Sequence, residues 1–265
     1  CSLPLNPTAS EVVALALRGR PAVMRHHDLP WQHARFADHP APPDDPAWVH
    51  VTINDLSRRQ LAEHGIAAST MRNRFAVEGW SEGRDPVRAS LGLGGTDLLV
   101  LQPTRAIARK RVPVALGLAE VLDAHFWLLG PTEQGYEVEL EPLLAAARVH
   151  VHRGDLGRPV TQAYAACDVV AFPSSWEGFG NPVIESALAL RPLAVSPYPV
   201  LEELRTFGFH WFDAEHPEEV REFLRAPDVD LLEHNRAVAV EHFSLAELPG
   251  EIAGLFAAAG WRFAL

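Results

Sequence analysis

Between residues 97 and 197 short apolar runs rich in Val, Leu and Phe alternate in strict order with helical runs, and this alternation constrains the fold more than any other feature. DLLVLQP (97–103), HFWLLGP (125–131), RVHVHRGD (148–155), DVVAFP (168–173) and PLAVSP (192–197) read as strands. Between them, 112–122, 137–147, 159–166 and 181–190 read as helices, and two more follow at 216–226 and 228–242. Short strands, each followed by a helix, predict a parallel sheet covered on both sides. In such sheets ligands bind at the carboxyl ends of the strands. The chemistry is therefore sought in the loops after 103 and 173.

The first part of the chain is less regular. Residues 8–18 read as a helix stopped at Gly19, 21–28 as a short buried strand, 48–54 as a strand and 56–65 as a helix ending at Gly65. The proline- and acid-rich stretch 37–47 is a loop, and the loosened pattern over 72–90 predicts a linker. The expected class is α/β, divided at 1–78, 79–245 and a closing helix over 246–265.

Charge narrows the partners. The chain carries 23 Lys and Arg against 34 Asp and Glu, a net charge of −11, which opposes a nucleic-acid or anionic-membrane partner. Only one of the cations is lysine, Lys110. Two cysteines, Cys1 and Cys167, form no disulfide framework or zinc motif, and a cytoplasmic location is expected. No apolar run reaches the ~18 residues of a membrane span, and no signal peptide is visible. The chain opens on Cys1 rather than Met, so its start is expected to lie inside a larger protein; a lipidated Cys1 is the weaker alternative.

Two segments carry the chemistry. SSWEGFGNPVIES (174–186) follows a strand and enters a helix, with Asn181 as the expected N-cap and Pro182 at the first helical position. Gly178 and Gly180 let backbone approach a ligand, and the helix N-terminus offers unpaired N–H groups to a phosphate. Glu177 and Glu185 would repel that phosphate unless they bind neutral donors, such as the vicinal hydroxyls of a sugar or ribose. A charge-assisted bond of that kind contributes roughly 1.5–3 kcal/mol. PTRAIARK (103–110) places Arg105 and Lys110 across a strand-to-helix loop, where two cations can neutralise a diphosphate leaving group.

The Glu-x7-Glu element and the Arg-x4-Lys spacing together resemble retaining glycosyltransferases of family 4 (glycosyl transferases group 1), in their order and separation. The resemblance extends over about 48–245. It implies the GT-B fold, two Rossmann-like domains with parallel sheets, here with an incomplete N-terminal, acceptor-side domain and a C-terminal domain that binds the donor nucleotide. It also implies that Arg105 and Lys110 hold the diphosphate, Glu185 the ribose hydroxyls and Glu177 the donor sugar, with backbone at Phe179, Gly180 and Asn181 lining sugar and phosphates. MRHHD resembles the family's strand end whose histidine faces the donor sugar; His27 is the better match and His26 its neighbour. RNRF (72–75) resembles the turn into the second domain, with Ala76 where the family has Asp. The closing FSLAELPGEIAGLFAAAGW resembles the family's last helix.

The implied activity is transfer of a hexose from a nucleotide-diphosphate sugar, UDP- or GDP-linked, to the hydroxyl of a sugar or small hydroxylated acceptor. The resemblance supplies retention of anomeric configuration and independence of metal; no cofactor beyond the donor substrate is expected. Two departures stand out. The family's opening strands and Gly-rich loop have no counterpart, and SPYPVLEEL replaces a glycine pair after the fifth strand. Two other functions stay open: a non-catalytic sugar-nucleotide-binding fragment, and another GT-B enzyme such as a sugar-nucleotide epimerase. The histidines at 26, 33 and 39 fit no zinc spacing, His150 and His152 read as structural, and Asp228-Val-Asp230 reads as a helix cap. Trp31, Trp176 and Trp211 read as packing residues.

Overall fold

In a computed structural model the structure describes residues 7–261, so Cys1 lies outside the described residues. The chain divides into two compact units, residues 1–74 with 245–265, and residues 75–244.

In the first unit α1 (Pro7–Leu17) precedes β1 (Ala22–His26), and β2 (Trp48–Thr52) leads through α2 (Asp55–Glu63) to β3 (Ala68–Thr70). The three strands are parallel in the order β1-β2-β3. Asn54 caps α2, its side chain accepting from Ser57 N at 2.6 Å. Strand β1 was expected to be buried, but Val23 and Arg25 face outward and alternate with the inward His26.

The second unit opens with α3 (Arg84–Ser90), followed by β4 (Leu99–Gln102), α4 (Val112–Leu122), β5 (His125–Leu128), α5 (Glu137–Ala145), β6 (Val151–Arg153), α6 (Val160–Ala166) and β7 (Val169–Phe172). After these come α7 (Asn181–Leu188), β8 (Leu193–Val195), α8 (Leu201–Arg205), β9 (Phe212–Asp213), α9 (Pro217–Arg225) and α10 (Val229–Phe243). The last described helix of the chain, α11 (Leu248–Ala258), belongs to the first unit, where Glu251 pairs with Arg74.

The six strands of the second unit are all parallel, in the order β6-β5-β4-β7-β8-β9. Strands β4 and β7 bury every residue, as the two-sided apolar pattern requires. From β4 the chain winds outward through β5 and β6, then crosses to β7 and winds the other way. The loops after β4 and β7 therefore lie over the carboxyl ends of two neighbouring strands, at the topological switch point where open parallel sheets form their ligand crevice.

The expected linker over 72–90 contains a helix. Proline within RDPVRAS hides it from periodicity, and its evidence is tertiary: Arg84 Nη2 and Arg88 Nη1 of α3 meet the Asp168 carboxylate at 2.5 and 3.0 Å. Asp168 also accepts from Leu99 N at 2.9 Å, so one carboxylate joins α3, β4 and the entry to β7.

Candidate functional site

The loop after β4 folds into a 3-10 turn over Ala108–Lys110. The buried Gln102 holds the end of this turn by donating from Nε2 to the Lys110 carbonyl at 2.9 Å. Lys110 therefore points away from solvent, its side chain only 8% exposed, and its ammonium pairs with Glu177, 12% exposed, from the loop after β7. The ammonium also lies 5.5 Å from the centroid of the Phe172 ring. Burial pulls the Lys110 pKa below the ordinary lysine value, Glu177 opposes that fall, and the charges of Arg109 and Arg105 add to it. The two segments singled out in the sequence thus meet through a desolvated ion pair. A solvated basic face over residues 108–111 is excluded for Lys110.

Arg105 behaves differently. It is exposed and pairs with Glu133 at 2.7 Å, whereas Lys110 is buried. The loop bearing Arg105 packs on Gly130, where a Cβ would come within 2.6 Å of the backbone of Thr104 and Arg105. Only glycine fits that approach.

Glu185 lies one helical stretch beyond, in α7. Its Oε2 accepts the Tyr164 hydroxyl at 2.5 Å, and Tyr164 of α6 is completely buried. Burial raises the Glu185 pKa, and the Tyr164 hydrogen bond works against that rise. The same burial, with the carboxylate beside it, pushes Tyr164 well above the ordinary phenol value. Glu185 is thus not a freely solvated helix residue.

The helix start differs from expectation. Asn181 is the first helical residue of α7, and the N-cap is Gly180 in the left-handed region at φ 102°, with no side-chain cap. The reason lies in SPYP: the Tyr198 hydroxyl occupies the space where a Gly180 Cβ would stand, and donates to the Phe179 carbonyl at 3.2 Å. The Phe179 ring is buried against Phe75 and Phe243. So the segment replacing the family's glycine pair supplies a tyrosine that shapes the Phe179–Gly180–Asn181 backbone.

Sequence reasoning missed Arg109, Tyr164 and Tyr198. Arg109 donates from Nη1 to the Trp176 carbonyl at 2.7 Å and lies 3.4 Å from Glu177 Oε2, while its own carbonyl accepts from Ser175 N at 2.9 Å. In sequence it is one cation of a basic run. Four buried polar atoms with no partner among the described residues fall on these same segments: Gln102 Oε1, Thr104 Oγ1, Ser174 Oγ and Trp176 Nε1. Buried polar atoms are rarely left so, and these four gather at or just beyond the carboxyl ends of β4 and β7.

His27 belongs to the first unit. It follows β1 directly and is exposed, whereas His26 is 2% exposed and committed inward. His26 Nε2 meets His50 Nδ1 at 2.8 Å, and His50 Nε2 meets Asp44 Oδ1 at 3.0 Å. Burial, then His50, push His26 down to about 3.

The remaining polar groups read as structure. Asp228 caps α10 by accepting from Leu231 N at 3.0 Å. His152 Nε2 meets His125 Nδ1 at 2.9 Å, with the rings of His125, His150 and His152 stacked. Trp31 stacks on His64, and Trp211 lies under the Arg205 guanidinium. A cavity of about 420 Å³ opens at the amino ends of β4 to β6, lined by Asp97, His125, Arg148 and His150, away from the crevice. Among the described residues no group of three or more His, Cys, Asp or Glu side chains could hold a metal ion, and no helix is long and apolar enough to cross a membrane.

Residues 107–225 match the family model described as glycosyl transferases group 1. Mannosylglucosylglycerate synthase of Petrotoga mobilis is 25% identical over 262 residues, covering 78% of this chain and 60% of that protein. The enzyme of the same name from Thermotoga maritima is 23% identical over 309 residues, covering 93% and 72%. The chain thus spans three-fifths to under three-quarters of these relatives' length. Among solved structures, Anabaena HepE in complex with UDP and glucose superposes with a TM-score of 0.76 at 19% identity, covering 95% of this chain and 76% of that one. Residues 107–225 are thus similar to glycosyl transferases group 1, and the chain takes the GT-B fold.

Proposed function

We propose that this chain is the donor-binding part of a glycosyltransferase that moves a hexose from a UDP- or GDP-sugar to an acceptor hydroxyl, with retention of configuration and without metal. One observation carries the reading: the buried Lys110 and Glu177 meet beyond the carboxyl ends of β4 and β7, where a parallel sheet takes its ligand, and the helix that follows Glu177 carries Glu185 with one oxygen on Tyr164. The unpartnered polar atoms on the same loops, and the UDP and glucose named for HepE, support it.

In this reading the Lys110 ammonium and the exposed Arg105 hold the diphosphate, aided by backbone N–H groups at the start of α7. Glu185 keeps one oxygen on Tyr164 and turns the other to the ribose hydroxyls. Glu177 accepts from hydroxyls of the donor sugar, and the backbone at Phe179, Gly180 and Asn181 lines sugar and phosphates. As the bond from the anomeric carbon to the diphosphate breaks, negative charge grows on the leaving oxygen beside the buried Lys110 ammonium, where a charge counts most, with the exposed Arg105 adding a weaker, solvent-screened attraction. That oxygen takes the acceptor's proton, and the acceptor oxygen bonds to the face the diphosphate leaves. Two fixed cations and a helix N-terminus take the place of a divalent ion.

Proton NMR of products from UDP- and GDP-hexose donors, in excess EDTA with sugar and glyceryl acceptors, tests this. The expected product keeps the donor's anomeric configuration. An inverted product, or turnover only after divalent metal is restored, contradicts it; release of free hexose alone removes the acceptor step.

A further inference from the structure

The pair at the centre of the site has a built-in conflict. Lys110 and Glu177 neutralise each other in a desolvated position. A diphosphate that takes the Lys110 ammonium leaves the Glu177 carboxylate behind, poorly solvated and next to an anion. Such an orphaned charge is costly unless another cation compensates it.

A second cation is present. Arg109 lies 3.4 Å from Oε2 of Glu177, while Lys110 holds Oε1. Its position is fixed by the Nη1 bond to the Trp176 carbonyl and by the Ser175 N–H bonded to its own carbonyl. The turn over 108–110 and the loop over 174–177 are therefore latched in both directions. Arg109 is 31% exposed, more solvated than Lys110 at 8%; the buried cation is the one an incoming anion gains most from, and the more solvated one is suited to serve as a standing counter-ion.

We propose that Arg109 is a positioning residue that keeps Glu177 compensated when Lys110 transfers its ammonium from Glu177 to the diphosphate of the ligand. Lys110 and Arg109 divide the work: one exchanges partners, the other does not. Glu177 then remains placed to accept sugar hydroxyls beside the phosphates. This rests on the diphosphate reading of Lys110 given above. The charges that bear on Lys110 are those of Glu177, Arg109 and Arg105.

The test is a double-mutant cycle with two probes, UDP and inorganic pyrophosphate, read by calorimetry. Arg109→Gln removes the charge while leaving an amide able to donate to the Trp176 carbonyl; Arg109→Lys restores a charge. Arg109→Gln is expected to weaken both probes by about tenfold or more, Arg109→Lys to recover most of that loss, and the Arg109→Gln effect to fall within about twofold in a Glu177→Gln background. Equal loss in both backgrounds, or no loss in either, overturns the proposal.

Because Lys110 is the chain's one lysine, ¹⁵N-lysine labelling gives a single ammonium resonance that reports on it without ligand. Its titration midpoint is expected to rise in Arg109→Gln, since a like charge is removed and Glu177 is left to Lys110 alone. An unchanged midpoint shows that Arg109 does not share Glu177 and overturns the proposal. A raised midpoint in a protein that binds neither probe shows instead that the diphosphate reading has failed and takes the partner exchange with it.

Discussion

Lys110 and Glu185 show how far single residues can be read. Each was visible in the sequence as a charge at the right spacing after a strand, but its environment was not. Lys110 is buried against Glu177 although its neighbours are all basic, and Glu185 depends on a tyrosine 21 residues away. Helical and strand periods do not encode contacts of that range, so Arg109 and Tyr164 were invisible as site residues. Lys110→Ala should lower turnover by ~10²–10³, the effect of removing one preorganised charge from a developing anion; steady-state kinetics on the variant measures it, and near-normal turnover sinks its role. Glu185 makes a prediction with a sign. Its folded pKa is raised by burial, so folding favours the protonated form; the associated stability is present below the unfolded carboxylate pKa and lost as pH rises through the folded one. Glu185→Gln should therefore melt higher than the parent at pH 7, by ~2–4 °C for each kcal/mol relieved, with the gain vanishing near pH 4. Nucleotide affinity should fall with acidification at a midpoint above that of an ordinary carboxylate, and Tyr164→Phe should move the midpoint higher. Scanning calorimetry and binding at several pH values check both; an unshifted midpoint in Tyr164→Phe means that the phenol does not hold the ionised carboxylate.

Among the elements, those long enough to show a period were legible and the short ones were not. Helix α4 matches its expected 112–122 span, because apolar residues at helical spacing end at an αL residue, Asp123. Strands β3 and β9 and helix α8 have two to five residues, too few for a pattern, and α3 has a proline inside its first turn. At the entry to α7 the expected N-cap, Asn181, is the first helical residue instead, and Gly180 takes the cap position. Gly180 serves both a left-handed φ and the hydroxyl of Tyr198. Gly180→Ala should cost about 1–3 kcal/mol from the backbone conformation alone, with the steric conflict added, and should weaken nucleotide binding by displacing the loop that bears Glu177. Gly180→Ala combined with Tyr198→Phe removes the hydroxyl but not the φ penalty, so urea denaturation should show partial recovery; full recovery would assign the defect to the clash alone.

For the whole molecule, the second unit's architecture followed from alternation of strands and helices, while the strand order did not, since nothing local states that β7 pairs with β4. That order creates the crevice. Asp168 holds it together from behind by joining α3, β4 and β7. Asp168→Ala strands the nearly buried Arg88 without a counter-ion and should destabilise the second unit by about 3–5 kcal/mol, seen as an earlier urea midpoint; a change under 1 kcal/mol would mean that α3 is held by packing alone. In the first unit α1, β1, β2 and α2 followed from local pattern, while β3, three residues long, did not.

Calorimetric titration of the chain with UDP, GDP and ADP, beside Lys110→Ala and Glu185→Ala, tests the donor site most directly. Saturable binding of UDP or GDP, weakened in both variants, is the predicted result. Binding that neither substitution alters, or no binding of any of the three, contradicts the placement of a nucleotide diphosphate between the loops after β4 and β7.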